Sequence, residues 1–371
     1  MTFINRMGIN RVGIDRASSL AAASLLALAA TAAVGGAAYA DAAKPEAAVS
    51  PMKRVAEARD KAKAENPDGA DRVFGGKEAE KGQYPFQVAL LTSERLDESA
   101  DSQPNAQFCG GSLIAPQWVL TAAHCLSDNG EAIDPASVTI LIGATHLAEG
   151  KRAKVSEVVV HEGYSTETLD NDLGLLRLAE PVDAPIIRIS ATAAPDSGKT
   201  TVTGWGMMED GTFPNDLMVA DLDLEPNAAC NSGIKQIYAS DLRMALGQLA
   251  GRMRYSEKGI EAGAEAIASD MRDPLTANMI CAGTTSGQRD ACNGDSGGPL
   301  FVDGKDGPEQ IGVVSWGEGP ADGTAACGHK NAYGVYTRLG NYVSWVEARM
   351  QMPAPAPEKA PGNGIAQKPK T

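Results

Sequence analysis

The chain has 371 residues, of which 43% are hydrophobic and 22% charged, with a formal net charge of −14. That length suffices for one large or two small domains, each with a core of its own. So acidic a surface repels nucleic acid and anionic lipid, which argues against nucleic-acid binding and stable membrane association; it draws cationic peptides at long range, unless the charge serves solubility alone.

The first forty residues predict an export signal. Arg6, Arg11 and Arg16 give a basic start, Leu20–Val34 is an uncharged Ala/Leu-rich run, and Ala38-Tyr39-Ala40 fits a small-x-small cleavage site. The run is short for a membrane span and no second long apolar run follows. A secreted protein, extracellular or periplasmic, is therefore expected. Residues 41–72 are rich in Ala, Lys, Glu and Arg and carry Pro45, Pro51 and Pro67. Met52–Glu65 has a helical composition but little to bury, so the segment reads as a mobile pro-segment or linker.

From Val73 onward short apolar runs alternate with Gly, Pro, Asn and Asp clusters, as in Phe86–Leu91, Val138–Ile142, Val155–Val160, Leu173–Leu178 and Gly312–Trp316. This rhythm predicts an all-β domain, an antiparallel sandwich or barrel. Residues 231–273 break it. Ile234, Ile237, Tyr238, Leu242, Leu246 and Leu249, then Ile260, Ala264, Ile267 and Met271, recur at helical spacing and predict two short inserted helices. Tyr342–Met350 predicts a closing helix. The Pro/Ala/Lys-rich tail, 351–371, predicts no packed structure.

Three short motifs carry chemistry. In Gly294-Asp295-Ser296-Gly297-Gly298-Pro299 a serine sits among glycines. A serine hydroxyl is a weak nucleophile unless a base takes its proton and the developing oxyanion is held. Glycines let the backbone turn sharply enough to aim N–H groups, here those of Gly294 and Ser296, at one point. In Thr121-Ala122-Ala123-His124-Cys125, one of four histidines lies among small residues beside a cysteine that would lock it. His146, His161 and His329 have polar or loop-like surroundings and read as surface residues. In Asn171-Asp172-Leu173-Gly174 an aspartate opens an apolar run, where it needs partners. Asp170 precedes that run by two residues and fits the same role less well. Six cysteines behind an export signal predict three disulfides, with the pairing open, and no cysteine or histidine cluster has zinc-site spacing.

The order His124, Asp172, Ser296 differs from that of subtilisins and α/β-hydrolases. With the flanking motifs it resembles the chymotrypsin/trypsin family of serine proteases, from about Val73 to Met350 and apart from 231–273. The resemblance implies two antiparallel β-barrels with a helical insertion and a C-terminal helix, spanning 73–350. It implies His124, Asp172 and Ser296 as base, orienting acid and nucleophile, with the Gly294 and Ser296 amides as oxyanion hole. It pairs Cys109 with Cys125, Cys230 with Cys281 and Cys292 with Cys327. Arg72-Val73-Phe74-Gly75-Gly76 resembles an activation site, where cleavage after Arg72 frees the Val73 amine to pair with Asp295. Asp290, six residues before Ser296, stands where members selective for Arg and Lys carry the floor of the primary pocket; Ala291, Ser315, Trp316, Gly317 and Gly334 would line it. Fewer disulfides than in animal trypsins suggest a bacterial member. Ala144 after Gly143 replaces a calcium-ligating glutamate, so no metal and no cofactor are expected. Implied partners are proteins or peptides with Arg or Lys, and proteinaceous inhibitors. The insertion is either a subsite wall or surface decoration. The rival reading, a catalytically silent member used for binding or adhesion, sits badly with an intact triad.

Overall fold

A computed structural model describes residues 50–65 and 76–352, apart from 129, 191–193, 209, 285, 288–289, 323–326 and 331–332. The expected signal peptide (1–40), the Arg72–Val73 bond and the tail beyond 352 lie outside the described residues. So does the pro-segment, except for 50–65.

Two closed six-stranded barrels follow one another along the chain. The first is built from β1 (Gln87–Thr92), β2 (Gln107–Ala115), β3 (Trp118–Thr121), β4 (Val138–Ile142), β5 (Lys151–Val160) and β6 (Gly174–Leu178), ordered β1-β2-β3-β6-β5-β4. The second is built from β7 (Gly198–Gly204), β8 (Met218–Glu225), β9 (Met279–Gly283), β10 (Pro299–Gly304), β11 (Gly307–Trp316) and β12 (Gly334–Arg338). Its order, β7-β8-β9-β12-β11-β10, closes through pairing of β8 with β9 and of β7 with β10, and repeats the connectivity of the first. Closure leaves no long sheet edge unpaired, and it points alternate side chains inward. Leu90, Leu113, Leu120, Ile140 and Leu175 fill one barrel; Val202, Leu222, Ile280, Leu300, Ile311 and Tyr336 fill the other.

The seam between the barrels carries buried polar links beside an apolar contact of Phe86 with Phe301. Ser112 donates to Gln310 Oε1 at 2.6 Å and Thr203 donates to Gln87 Oε1 at 2.8 Å. A β-bulge between Val314 and Trp316 breaks the register of β11 against β12 and turns Ser315 toward this seam. The three disulfides are Cys109–Cys125, Cys230–Cys281 and Cys292–Cys327.

Four longer helices surround the barrels: α1 (Pro51–Glu65), α2 (Asn227–Met253), α3 (Glu257–Asp270) and α4 (Val343–Met350). The insertion is helical, as its spacing predicts, but α2 begins before 231 and runs 27 residues. It stops at Arg254, in the left-handed region at φ 55°, and Ser256 caps α3 by accepting from Gly259 N–H at 3.1 Å. Ile234 and Ile237 are buried at the base of α2, whereas Leu249 and Ile267, which the apolar spacing places on the core side, are exposed.

The region around Met52–Glu65 departs from the expectation of a mobile linker. It forms α1, which packs on β2 and on the turn that carries His124. Val55 and Arg59, four residues apart and so on one helix face, are both buried, while Lys53 pairs with Asp128 at 2.9 Å. Composition misses this because one valine and one arginine stem do the packing. Val55→Asp would place an ionisable group in an apolar contact, at a cost of several kcal/mol. The variant is expected to undock α1: limited proteolysis should cut rapidly between residues 51 and 65 while the barrels stay intact, and unchanged protection of α1 would refute the docking.

Candidate active site

Asp172 is wholly buried, between the barrels. Residues 169–171 carry the chain into it through two left-handed non-glycine positions, Leu169 at φ 54° and Asn171 at φ 55°. Such a backbone persists where its surroundings hold it. Asn171 Nδ2 donates to the Gly163 carbonyl at 2.8 Å, and its Oδ1 accepts from the Tyr342 hydroxyl at 2.9 Å. Asp170 binds Thr276 and Asn278 instead, at 2.7 and 3.2 Å, which explains why the neighbouring acid does not reach the histidine.

The Asp172 carboxylate accepts from His124 N–H at 2.9 Å, lies 2.7 Å from His124 Nδ1, and accepts from the Ser315 hydroxyl at 2.5 Å. The Thr337 hydroxyl holds its main-chain carbonyl at 2.6 Å. His124 thus has its Nδ1 tied to an acid. Ser315, expected as a pocket wall, has its hydroxyl turned to Asp172; sequence reasoning missed this link and the one to Thr337, which no local motif marks.

Ser296 is brought against the same turn. Its carbonyl accepts from Gly110 N–H at 2.8 Å, and Gly297 N–H donates to Val314 at 2.8 Å, so the serine is pinned between the two barrels. Gly297 has φ +82°, and a Cβ there would run into the Thr121 hydroxyl and lie 3.1 Å from Ala122 N, two residues before His124. Gly294 has φ +102°. The amides of Asp295, Gly297 and Gly298 bond within the fold; those of Gly294 and Ser296 make no hydrogen bond among the described residues.

Asp295 turns inward. It accepts from Gly206 N–H at 2.7 Å and from Cys292 N–H at 2.9 Å, and a Cβ on Gly204 or Gly206 would collide with its carboxylate. Burial pushes its pKa up to about 6. Asp290 lies nearby, 9% exposed, with Ala291 N–H at 2.8 Å and Gly328 N–H at 3.2 Å on its oxygens. The Cys292–Cys327 bridge holds Gly328 in place. Burial, opposed by these backbone bonds, pushes Asp290 up to about 7. A Cβ on Gly334 would strike the Asp290 carboxylate, whereas one on Gly317 would meet nothing within 4 Å, leaving that side open. Trp316 is half-buried beside it.

A histidine held by a buried acid against a serine with two free amides has the form of an acyl-transfer site. A model of the family described as Trypsin matches residues 73–346. The chain belongs to the trypsin family. It is 30% identical over 314 residues to Trypsin Blo t 3 of Blomia tropicalis, covering 82% of this chain and 94% of that protein. It is 29% identical over 293 residues to Trypsin-3 of Salmo salar, covering 76% and 94%. It is 31% identical over 327 residues to Vitamin K-dependent protein C of Oryctolagus cuniculus, covering 82% of this chain and 58% of that larger protein. These relatives are eukaryotic and lend no support to the expected bacterial likeness. Membership makes this trypsin-family chain a serine endopeptidase. Among the described residues no helix is long and apolar enough to cross a membrane.

An acid that takes up a proton near neutrality binds cations in a pH-dependent way. Protonated Asp290 offers no charge to a small amidinium such as benzamidine, so affinity should fall as pH drops through about 7. We expect binding about tenfold weaker at pH 6 than at pH 8, read by calorimetry or inhibition. A dissociation constant flat from pH 5 to 8 would show that Asp290 stays ionised over that range, against the upward shift.

Proposed function

We propose that this protein is a secreted, trypsin-like endopeptidase that cuts after Arg and Lys, made as a zymogen and activated by cleavage after Arg72. The observation that carries this reading is Asp290, a buried carboxylate whose hydrogen-bond partners are backbone amides. Burying an acid without a cation is costly; a guanidinium or ammonium from a substrate relieves that cost through charge-assisted hydrogen bonds.

In this reading the substrate's basic side chain lies over Asp290, past Ala291, Trp316, Gly317 and Gly334, and sets the scissile carbonyl at Ser296. His124 Nε2 takes the Ser296 proton as Oγ bonds to the carbonyl carbon. The carbonyl electron pair moves to oxygen, where the Gly294 and Ser296 amides receive it. Asp172 fixes the tautomer and stabilises the imidazolium. The C–N bond breaks with the His124 proton passing to the leaving amine. Water then enters by the same route, and Ser296 is restored as the acid product departs. Ala291 leaves a lysine ammonium one acceptor fewer than a serine would, while arginine's fork still meets the carboxylate, which favours Arg over Lys.

For activation, the Val73 amine freed by cleavage would pair with Asp295. A narrow cavity of about 30 Å³, bordered by Gly204, Gly206, Met207, Met218 and both buried acids, supports this, since it has room for one ammonium-sized group. Proteins and peptides with Arg or Lys are the partners, along with proteinaceous inhibitors that present such a residue.

One assay tests the reading. The secreted form should begin Val73-Phe74-Gly75-Gly76 and hydrolyse Arg and Lys chromogenic peptides in preference to Phe and Ala ones. Asp290→Ser should lower kcat/KM on Arg peptides by about a hundredfold or more, the loss expected when a buried charge loses its partner, with little change on Phe peptides. Undiminished Arg cleavage in that variant would show the pocket assignment to be wrong.

A further inference from the structure

α1 carries a charged side chain into the protease domain, and the triad, pocket and activation cleft leave it without a role. Arg59 is 6% exposed. A guanidinium removed from water needs acceptors for its planar fork of N–H groups. Nε donates to the Gln107 carbonyl at 3.0 Å; Nη2 donates to the Gln107 side-chain oxygen and, at 3.1 Å, to the Trp205 carbonyl. The Phe213 ring lies under it, 4.3 Å from the guanidinium carbon. Burial draws the Arg59 pKa down to about 9, opposed by the Asp295 charge, so the group remains a cation at neutral pH.

Two of these acceptors, the Gln107 side chain and the Trp205 carbonyl, are one bond away from the serine turn. The Gln107 side-chain nitrogen donates to the Gly294 carbonyl at 2.9 Å. With the guanidinium on its oxygen, the amide has one orientation left, with NH₂ toward Gly294. The Trp205 carbonyl and the Gly206 N–H belong to a single peptide unit, and that N–H is the donor 2.7 Å from Asp295. A cation on the carbonyl end polarises the N–H end toward the carboxylate. One side chain from α1 therefore braces both neighbours of the turn.

We propose that Arg59 is a positioning residue for the peptidase reaction: α1 is a lasting part of the enzyme, and its guanidinium, through Gln107 and the Trp205–Gly206 peptide, holds Gly294 and Asp295 so that the oxyanion-binding amides face the substrate. The inference rests on the serine-peptidase reading above. A cut after Arg72 would sever α1 from the barrels in sequence, and Arg59, Val55 and the Lys53–Asp128 pair would keep it docked. The opposite reading makes α1 an inhibitory cover, because it also packs on the His124 turn. Among the described residues, however, no hydrogen bond joins α1 to His124, Asp172, Ser296 or Asp290. The contacts go to the frame behind the turn.

The experiment compares the protein cut after Arg72, with α1 retained, with its Arg59→Ala and Arg59→Lys variants. Hydrogen–deuterium exchange of the peptide covering 290–298 should quicken in Arg59→Ala, at the amides of Asp295 and Gly297, with less change in Arg59→Lys. On a peptide substrate kcat should fall about tenfold, less than the hundredfold or more that follows loss of an oxyanion donor itself, with KM within about twofold. Added guanidinium should restore part of the rate. Gln107→Leu combined with Arg59→Ala should cost less than the sum of the two single changes, since the Gln107 bond to Gly294 is a link that both disturb. If Arg59→Ala does not fold, Arg59→Lys and Gln107→Leu carry the same comparison. Unchanged exchange in 290–298 overturns the proposal, as does a rate that stays level or rises; a rise would make α1 a cover. A parent cut after Arg72 that is inert on every peptide, with exchange still quickened in Arg59→Ala, would instead count against the peptidase reading and leave the bracing intact.

Discussion

Everything at this site depends on satisfying one carboxylate that has no exposed surface. Asp172 enters from the first barrel through a strained turn, and its oxygens are met by His124 from the same barrel and by Ser315 from the other. Thr337, also from the second barrel, holds its carbonyl. A buried acid missing any of these donors would be destabilised by a few kcal/mol. The two barrels must therefore dock in one relation, and that relation brings the Ser296 turn, bonded to Gly110 on one side and Val314 on the other, against His124. The bonds that hold the catalytic arrangement thus also cross between the two barrels.

The second constraint is electrostatic. Burial lifts both Asp290 and Asp295 toward neutrality, and the Asp295 charge adds to the cost of ionising Asp290. Each has backbone amides at hand, and each lies where a cation can arrive: a substrate side chain at Asp290, an amino terminus at Asp295. Arg59 already places a positive charge in the field of Asp295. In the proposed reading the serine turn is stabilised by charges that come from outside the barrel that carries it, and its order depends on what is docked or bound.

Much of this was legible in the chain. The barrels could be read from the alternation of short apolar runs with turn residues, and the triad from three local motifs whose glycines and small residues have direct geometric causes, as at Gly297 against Thr121 and Gly334 against Asp290. Two helices in 231–273 could be read from their spacing, though Leu249 and Ile267 are exposed. The docking of α1 was not legible. Its burial rests on Val55 and Arg59 in an otherwise charged segment, and the acceptors of Arg59 lie 48 and 146 residues away. Nor could Ser315 be read as a partner of Asp172, since a bulge in β11 sets its direction.

The central claim is that Ser296 is a nucleophile activated by His124, and covalent labelling tests it most directly. A fluorophosphonate reagent reacts with an activated serine and spares ordinary hydroxyls. Treated with it, the matured protein should gain a single adduct, which peptide mass spectrometry places on Ser296, and a folded His124→Ala variant should gain none. An unlabelled Ser296 in correctly folded, matured protein, or an adduct on another residue with Ser296 free, would contradict the account.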